Sequence, residues 1–178
     1  MFGSSTRSCR VVGIDPGLTR CGFAVVDSTK GSLVQARSLG AFTTSPQMDL
    51  PNRLASLQRD VRELLDEFSP DAVAVEKVFF QVNVKTAMSV GQASGVALAE
   101  AASSGCIVAQ YTPNEVKMSI AGYGGADKQQ VQRMVQQRLG LSAPPQPADA
   151  ADAAALALCY LATSPLTAAV HAALEGRS

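Results

Sequence analysis

The chain has 178 residues, 47% of them hydrophobic and 17% charged, and its fifteen basic and fifteen acidic side chains cancel. That length fits one domain with a proper core, and the composition excludes a disordered chain and one with a membrane-length apolar run. Cys9, Cys21, Cys106 and Cys159 lack C-x-x-C spacing and His171 is the only histidine, which argues against structural zinc and against His-dependent nucleophilic catalysis; any metal would be a hard ion on carboxylates.

Residues 1–9 carry no apolar signal core and read as a flexible lead into a cytoplasmic protein. Val11 to Ile14 is β-branched and apolar, a buried strand that delivers Asp15 immediately before the Pro16-Gly17 turn. An Asp beside Pro-Gly commonly only initiates a turn, so Asp15 becomes a candidate site residue through the acids that follow. Cys21 to Asp27 is a second strand returning antiparallel, Lys30-Gly31-Ser32 a hairpin turn, and Leu33 to Phe42 a third strand, which together make an antiparallel meander. Thr43 to Asp49 is a loop. Leu54, Leu57, Val61, Leu64, Leu65 and Phe68 recur at helical spacing and predict an amphipathic helix over 51–68.

Asp71 to Val75 is a short apolar strand followed by Glu76, and the helical crossover before it lets it lie parallel to the first. Asp15 and Glu76 then both stand at carboxyl ends of parallel strands, where active sites of open α/β sheets form; an ordinary strand-end charge is the plainer account of Glu76 alone. Phe79 and Phe80 follow, then a polar loop or helix start from Gln81 to Thr86. The helix over 87–103 has a face of small residues, Gly91, Ser94 and Gly95 among them, suited either to the sheet or to a second copy of the chain. Cys106 to Tyr111 reads as another buried strand. Thr112 to Glu115 and Asp127 to Gln130 each begin a helix with a capping box, separated by a glycine-rich break at 122–125, and the second helix stops at Gly140.

After the proline-rich connector 143–147, residues 148–163 form a helix on which Asp149, Asp152, Ala153, Leu156, Ala157 and Tyr160 share one face. First-turn acids complement the helix dipole, which would explain one of them. Two on an apolar stripe, with no basic residue nearby in sequence, call for a cation, because buried carboxylates without partners cost several kcal/mol. The middle of the chain is mildly basic, with Lys77, Lys85, Lys117, Lys128, Arg133 and Arg138 against Glu76, Glu100, Glu115 and Asp127; solvated helix faces or a nucleic-acid surface both account for this. Residues 164–178 read as a weakly helical or disordered tail, leaving 10–163 as a single domain.

The segments Gly13-Ile14-Asp15-Pro16-Gly17, residues 75–80, Gly91-Gln92-Ala93, residues 122–128 and Ala148 to Ala153 resemble, in order and spacing, the RuvC family of crossover junction endodeoxyribonucleases, within the ribonuclease H-like superfamily. The resemblance implies an α/β, ribonuclease H-like fold with a five-stranded mixed sheet and helices on both faces. It also implies a homodimer that resolves four-way (Holliday) DNA junctions by paired cuts, working with the RuvA–RuvB branch-migration complex. The four catalytic and metal-binding acids of the family match Asp15, Glu76, Asp149 and Asp152, and its DNA contacts match Phe79, Lys117 and Lys128. Two Mg2+ ions per subunit are implied, replaceable by Mn2+, with Asp15 shared between them. Ser94 departs from the pattern, since the family resemblance would place Arg there. An actin-like ATPase, a metal-free DNA-binding module and a nuclease for RNA–DNA hybrids are the competing functions.

Overall fold

In the computed structural model, which describes residues 9–29, 33–78 and 84–164, the first strand is the centre of the molecule. The elements are β1 (Cys9–Asp15), β2 (Arg20–Ser28), β3 (Val34–Thr43), α1 (Leu50–Phe68), β4 (Ala72–Glu76), α2 (Val84–Ser103), β5 (Ile107–Tyr111), α3 (Pro113–Ala121), α4 (Lys128–Arg138) and α5 (Ala148–Thr163). The sheet order is β3-β2-β1-β4-β5. β1 pairs antiparallel with β2 and parallel with β4, and β4 pairs parallel with β5, so meander and crossover meet at β1 as the sequence predicts.

Side-chain alternation sorts the sheet into two cores. Val12 and Ile14 of β1 join Val73 and Val75 of β4 against Leu57, Val61, Leu64 and Leu65 of α1 and Ala93, Ala97 and Ala101 of α2. Val11, Ala72 and Ala74 face the other way, into a core completed by α3, α4 and α5. By the same parity Asp15 and Glu76 project to the α5 side. α5 is buried on nearly every side, its alanines letting it lie close to β1 and β2. A Cβ at Gly13 would overlap the carbonyl oxygen of Ala153, and one at Gly22 the carbonyl oxygen of Asp149. Two glycines within strands thus seat the helix, where sequence reasoning passed them over although glycine inside a strand often marks close backbone approach.

Two carboxylates away from the site are neutralised by side chains remote in sequence. Asp27, on β2, accepts hydrogen bonds from Arg10 Nε (2.7 Å) and Arg37 Nε (2.7 Å), tying three adjacent strands together. Glu100, buried on α2, accepts from Arg62 and Gln58 of α1. The hydrogen bond from Arg10 holds Asp27 below the ordinary carboxylate range, and that from Arg62 does the same for Glu100.

Two expectations are corrected and one open alternative is narrowed. β5 is not buried: Ile107 is 50% exposed, and among the described residues β5 is the sheet's edge, with no neighbouring strand on one side. α2 starts at Val84 rather than 87, and it buries Ala93, Ser94, Ala97, Glu100 and Ala101. Gly91 and Gly95 lie on the side of α2 away from the sheet, and among the described residues a Cβ at either would meet nothing within 4 Å. The predicted turn at Lys30–Ser32, Phe79 and Phe80, His171 and the tail beyond Ser164 lie outside the described residues. Among the described residues no helix is long and apolar enough to cross a membrane.

Candidate active site

The carboxyl ends of β1 and β4 open onto a cleft of about 440 Å³ lined by Asp15, Glu76, Lys117, Lys128 and Asp152, with Val116 and Leu156 among its apolar wall. Each side chain arrives for a local reason. The register Ile14 to Val75 makes Asp15 and Glu76 neighbours on adjacent parallel strands, whose spacing is roughly 4.8 Å. α3 begins at Pro113 behind a complete Thr112–Glu115 capping box, and one turn later presents Lys117. α4 begins at Lys128 itself, behind the Asp127–Gln130 box. Asp152 lies in the first turns of α5, aimed by the seat that Gly13 provides.

The electrostatics are those of crowded, desolvated acids. Asp15 is pushed up to about 7, first by burial and then by the charges of Glu76, Asp152 and Asp149, with Lys128 acting against them. Glu76 is raised by burial and by Asp152. Lys128 donates to Asp152 Oδ2 at 2.6 Å, and that hydrogen bond raises the ammonium above its ordinary range. Asp149 stands to the β2 side and is not part of the cleft wall; Arg20 Nη1 lies 3.5 Å from its Oδ2. Both α5 acids therefore have basic partners, Lys128 and Arg20, which the local sequence around them did not offer.

Asp15, Glu76 and Asp152 are thus brought to one cleft, with Lys117 and Lys128 beside them, and Asp149 is near enough to bear on the charge of Asp15. Among the described residues no three His, Cys, Asp or Glu side chains stand in the arrangement of a closed ion site. The donor set nonetheless fits hard divalent cations. It is all carboxylate, and the repulsion at Asp15, buried among three like charges, is what such a cation relieves.

The family model described as crossover junction endodeoxyribonuclease RuvC matches residues 11–160. The chain belongs to the RuvC family. A RuvC relative described as a crossover junction endodeoxyribonuclease, from Thermobifida fusca, is 52% identical over 152 residues, 85% of this chain and 84% of the relative. The solved structure of Thermus thermophilus RuvC is 38% identical, covers 88% of this chain and 96% of its own, and superposes with a TM-score of 0.82. T. thermophilus RuvC in complex with a Holliday junction substrate is 37% identical over 89% of this chain and 96% of its own, with a TM-score of 0.84. RuvC-family membership and the five-stranded mixed sheet agree with the fold implied by the sequence motifs.

Proposed function

We propose that this chain is a metal-dependent endonuclease that resolves four-way DNA junctions by hydrolysing phosphodiesters in two opposed strands. The observation that carries it is the cleft itself, in which Asp15, Glu76 and Asp152 share one wall with Lys117 and Lys128. RuvC relatives at about half identity support it, as does the likeness to an enzyme solved with a junction substrate.

Asp15, Glu76, Asp149 and Asp152 would hold two divalent ions, Mg2+ or in its place Mn2+. When bound, such ions supply an activated water and stabilise the leaving oxygen of the phosphodiester. The chain's own groups do the rest. Burial shifts Asp15 and Glu76 toward their neutral forms, so both carboxylates would gain from a cation held between them. Lys117 and Lys128, which line the same cleft, would meet phosphate oxygens, Lys128 giving up Asp152 as it does so. Phe79, a few residues beyond Glu76, would stack on an unpaired base near the junction centre.

A synthetic four-way junction incubated with the protein in Mg2+ is expected to be nicked symmetrically, and EDTA to abolish nicking. Cleavage that persists in EDTA, or a preference for RNA–DNA hybrids, would overturn the proposal.

The paired cuts call for two sites, which we propose a homodimer supplies through α2. Val84, Met88, Gly91 and Gly95 recur at helical spacing on the exposed side of that helix, Val84 being 73% and Met88 57% exposed. Gly95→Ala should make the isolated helix about 1 kcal/mol more favourable, since among the described residues nothing obstructs the added methyl. Against a partner helix the same methyl is an obstruction, so the variant is expected to dissociate more readily in sedimentation equilibrium; an unchanged dimer would place the interface elsewhere. A contact with the RuvA–RuvB complex and a cytoplasmic location belong to the same proposal.

A further inference from the structure

On the β2 side of the acids stands a cation that the cleft lysines do not account for. Arg20 opens β2 with a side chain that is 54% exposed, and Nη1 lies 3.5 Å from Asp149 Oδ2. Alternation along β2 puts Ala24 and Val26 into the α5-side core, so Gly22 and Arg20 project to the same face. Gly22 pairs with Asp15 across the ladder.

The place Arg20 occupies is built rather than incidental. The Thr44 hydroxyl donates to the carbonyl of Leu18, and the Thr44 amide donates to Thr19 O at 3.1 Å. Arg53, from α1, donates to Thr44 Oγ1 at 2.9 Å and to Thr19 Oγ1 at 2.8 Å. The turn from Asp15 to Arg20 is thereby fixed to β3 and α1, and Arg20 leaves it beside the acids.

Across the sheet, Lys117 and Lys128 come from helices beyond β4, whereas Arg20 comes from β2, on the far side of Asp15. A DNA strand with its reacting phosphate over Asp15 therefore meets lysines on one side and a guanidinium on the other. A planar guanidinium matches two phosphate oxygens, and its half-exposed pairing with Asp149 is of the weak, screened kind that exchanges readily.

We propose that Arg20 is a phosphate-binding residue that grips the DNA backbone on the β2 side of the site, exchanging the Asp149 carboxylate for a phosphate oxygen when DNA arrives. This rests on the nuclease function proposed above.

The test uses the full chain and a synthetic four-way junction, with binding measured in EDTA across a salt series and cleavage measured in Mg2+. Arg20→Gln is expected to weaken binding, to flatten the dependence of log affinity on log salt by about one unit for each phosphate no longer neutralised, and to raise KM far more than it changes kcat. Arg20→Lys should keep the salt slope and recover part of the affinity. A fall in kcat with KM and salt slope unchanged would make Arg20 only a support for Asp149, and no change in any of the three would leave it without a role; either result overturns the proposal. Failure of the nuclease function itself shows separately, as a wild-type protein that does not cut the junction, and the salt slope in EDTA still reports on Arg20.

Discussion

Asp15→Asn is expected to slow junction cleavage by at least about 10²–10³-fold, the loss typical of removing even one preorganised group that stabilises transition-state charge, while junction binding stays close to wild type. The substitution keeps the shape and one oxygen but removes the charge at the place where β1, β4 and α5 meet. It carries a second, opposite signature. In the metal-free fold Asp15 titrates at about 7, raised first by burial, against roughly 3.9 in an unfolded chain. Between those values the folded state holds a proton that the unfolded state has released, so stability falls as pH rises through the window and is level above it. Glu76, raised in the same direction, adds to the slope. Denaturant unfolding in EDTA should show the wild type losing on the order of a few kcal/mol between pH 4 and 8 through these groups, and Asp15→Asn losing less and being the more stable protein at pH 8. Mg2+ should then stabilise the wild type more than the variant. A variant that cuts at the wild-type rate, or one with the wild-type pH slope, would remove Asp15 from the centre of the site.

Gly13→Ala and Gly22→Ala should be nearly as damaging to cleavage although neither residue can touch DNA. The added methyl at Gly13 meets the backbone of Ala153 and lies 3.0 Å from the amide nitrogen of Ala157; at Gly22 it meets the Asp149 carbonyl and lies 2.9 Å from the Asp149 Cβ. These obstacles are main-chain atoms and one Cβ of a buried helix, which no rotamer change can clear. α5 must lift, at a cost of about 1–3 kcal/mol typical of overpacking, and it carries Asp149 and Asp152 with it. Both variants are expected to melt at lower temperature and, at temperatures where circular dichroism shows them folded, to cut the junction much more slowly. Because catalytic geometry tolerates little displacement, the activity loss should exceed what the stability loss explains. Full activity in either variant would mean that the seat of α5 does not position the acids.

These two sets of residues differ in how far they could be read from the chain. Asp15 stood out because an apolar strand ended in an acid at a Pro-Gly turn, and Asp149 and Asp152 because they interrupted an apolar stripe. α5 runs from Ala148 to Thr163, the range its pattern predicts, and both capping boxes are present with their reciprocal hydrogen bonds. Gly13 and Gly22 gave at most the general hint of a glycine inside a strand, since what makes them necessary is the backbone of a helix far along the chain. The same holds for Arg20 and Lys128 as partners of Asp149 and Asp152, and for the Arg10–Asp27–Arg37 and Arg62–Glu100 clusters. β5 was read as buried because its composition is apolar, yet its exposure follows from its place at the edge of the sheet.

Periodicity, caps and turn residues are near-neighbour properties, so the amino-acid order alone determined the elements, the ends that caps mark and which four acids to suspect. Strand order, side-chain parity across the sheet and the glycine-lined seat of α5 arise only when distant segments pack together. Those decided that Asp15, Glu76 and Asp152 face one cleft, that Asp149 stands aside with Arg20, and that the glycine stripe of α2 is left open. The physical reason is that the free energy of each contact belongs to a pair of segments, and no pattern within either one records the other.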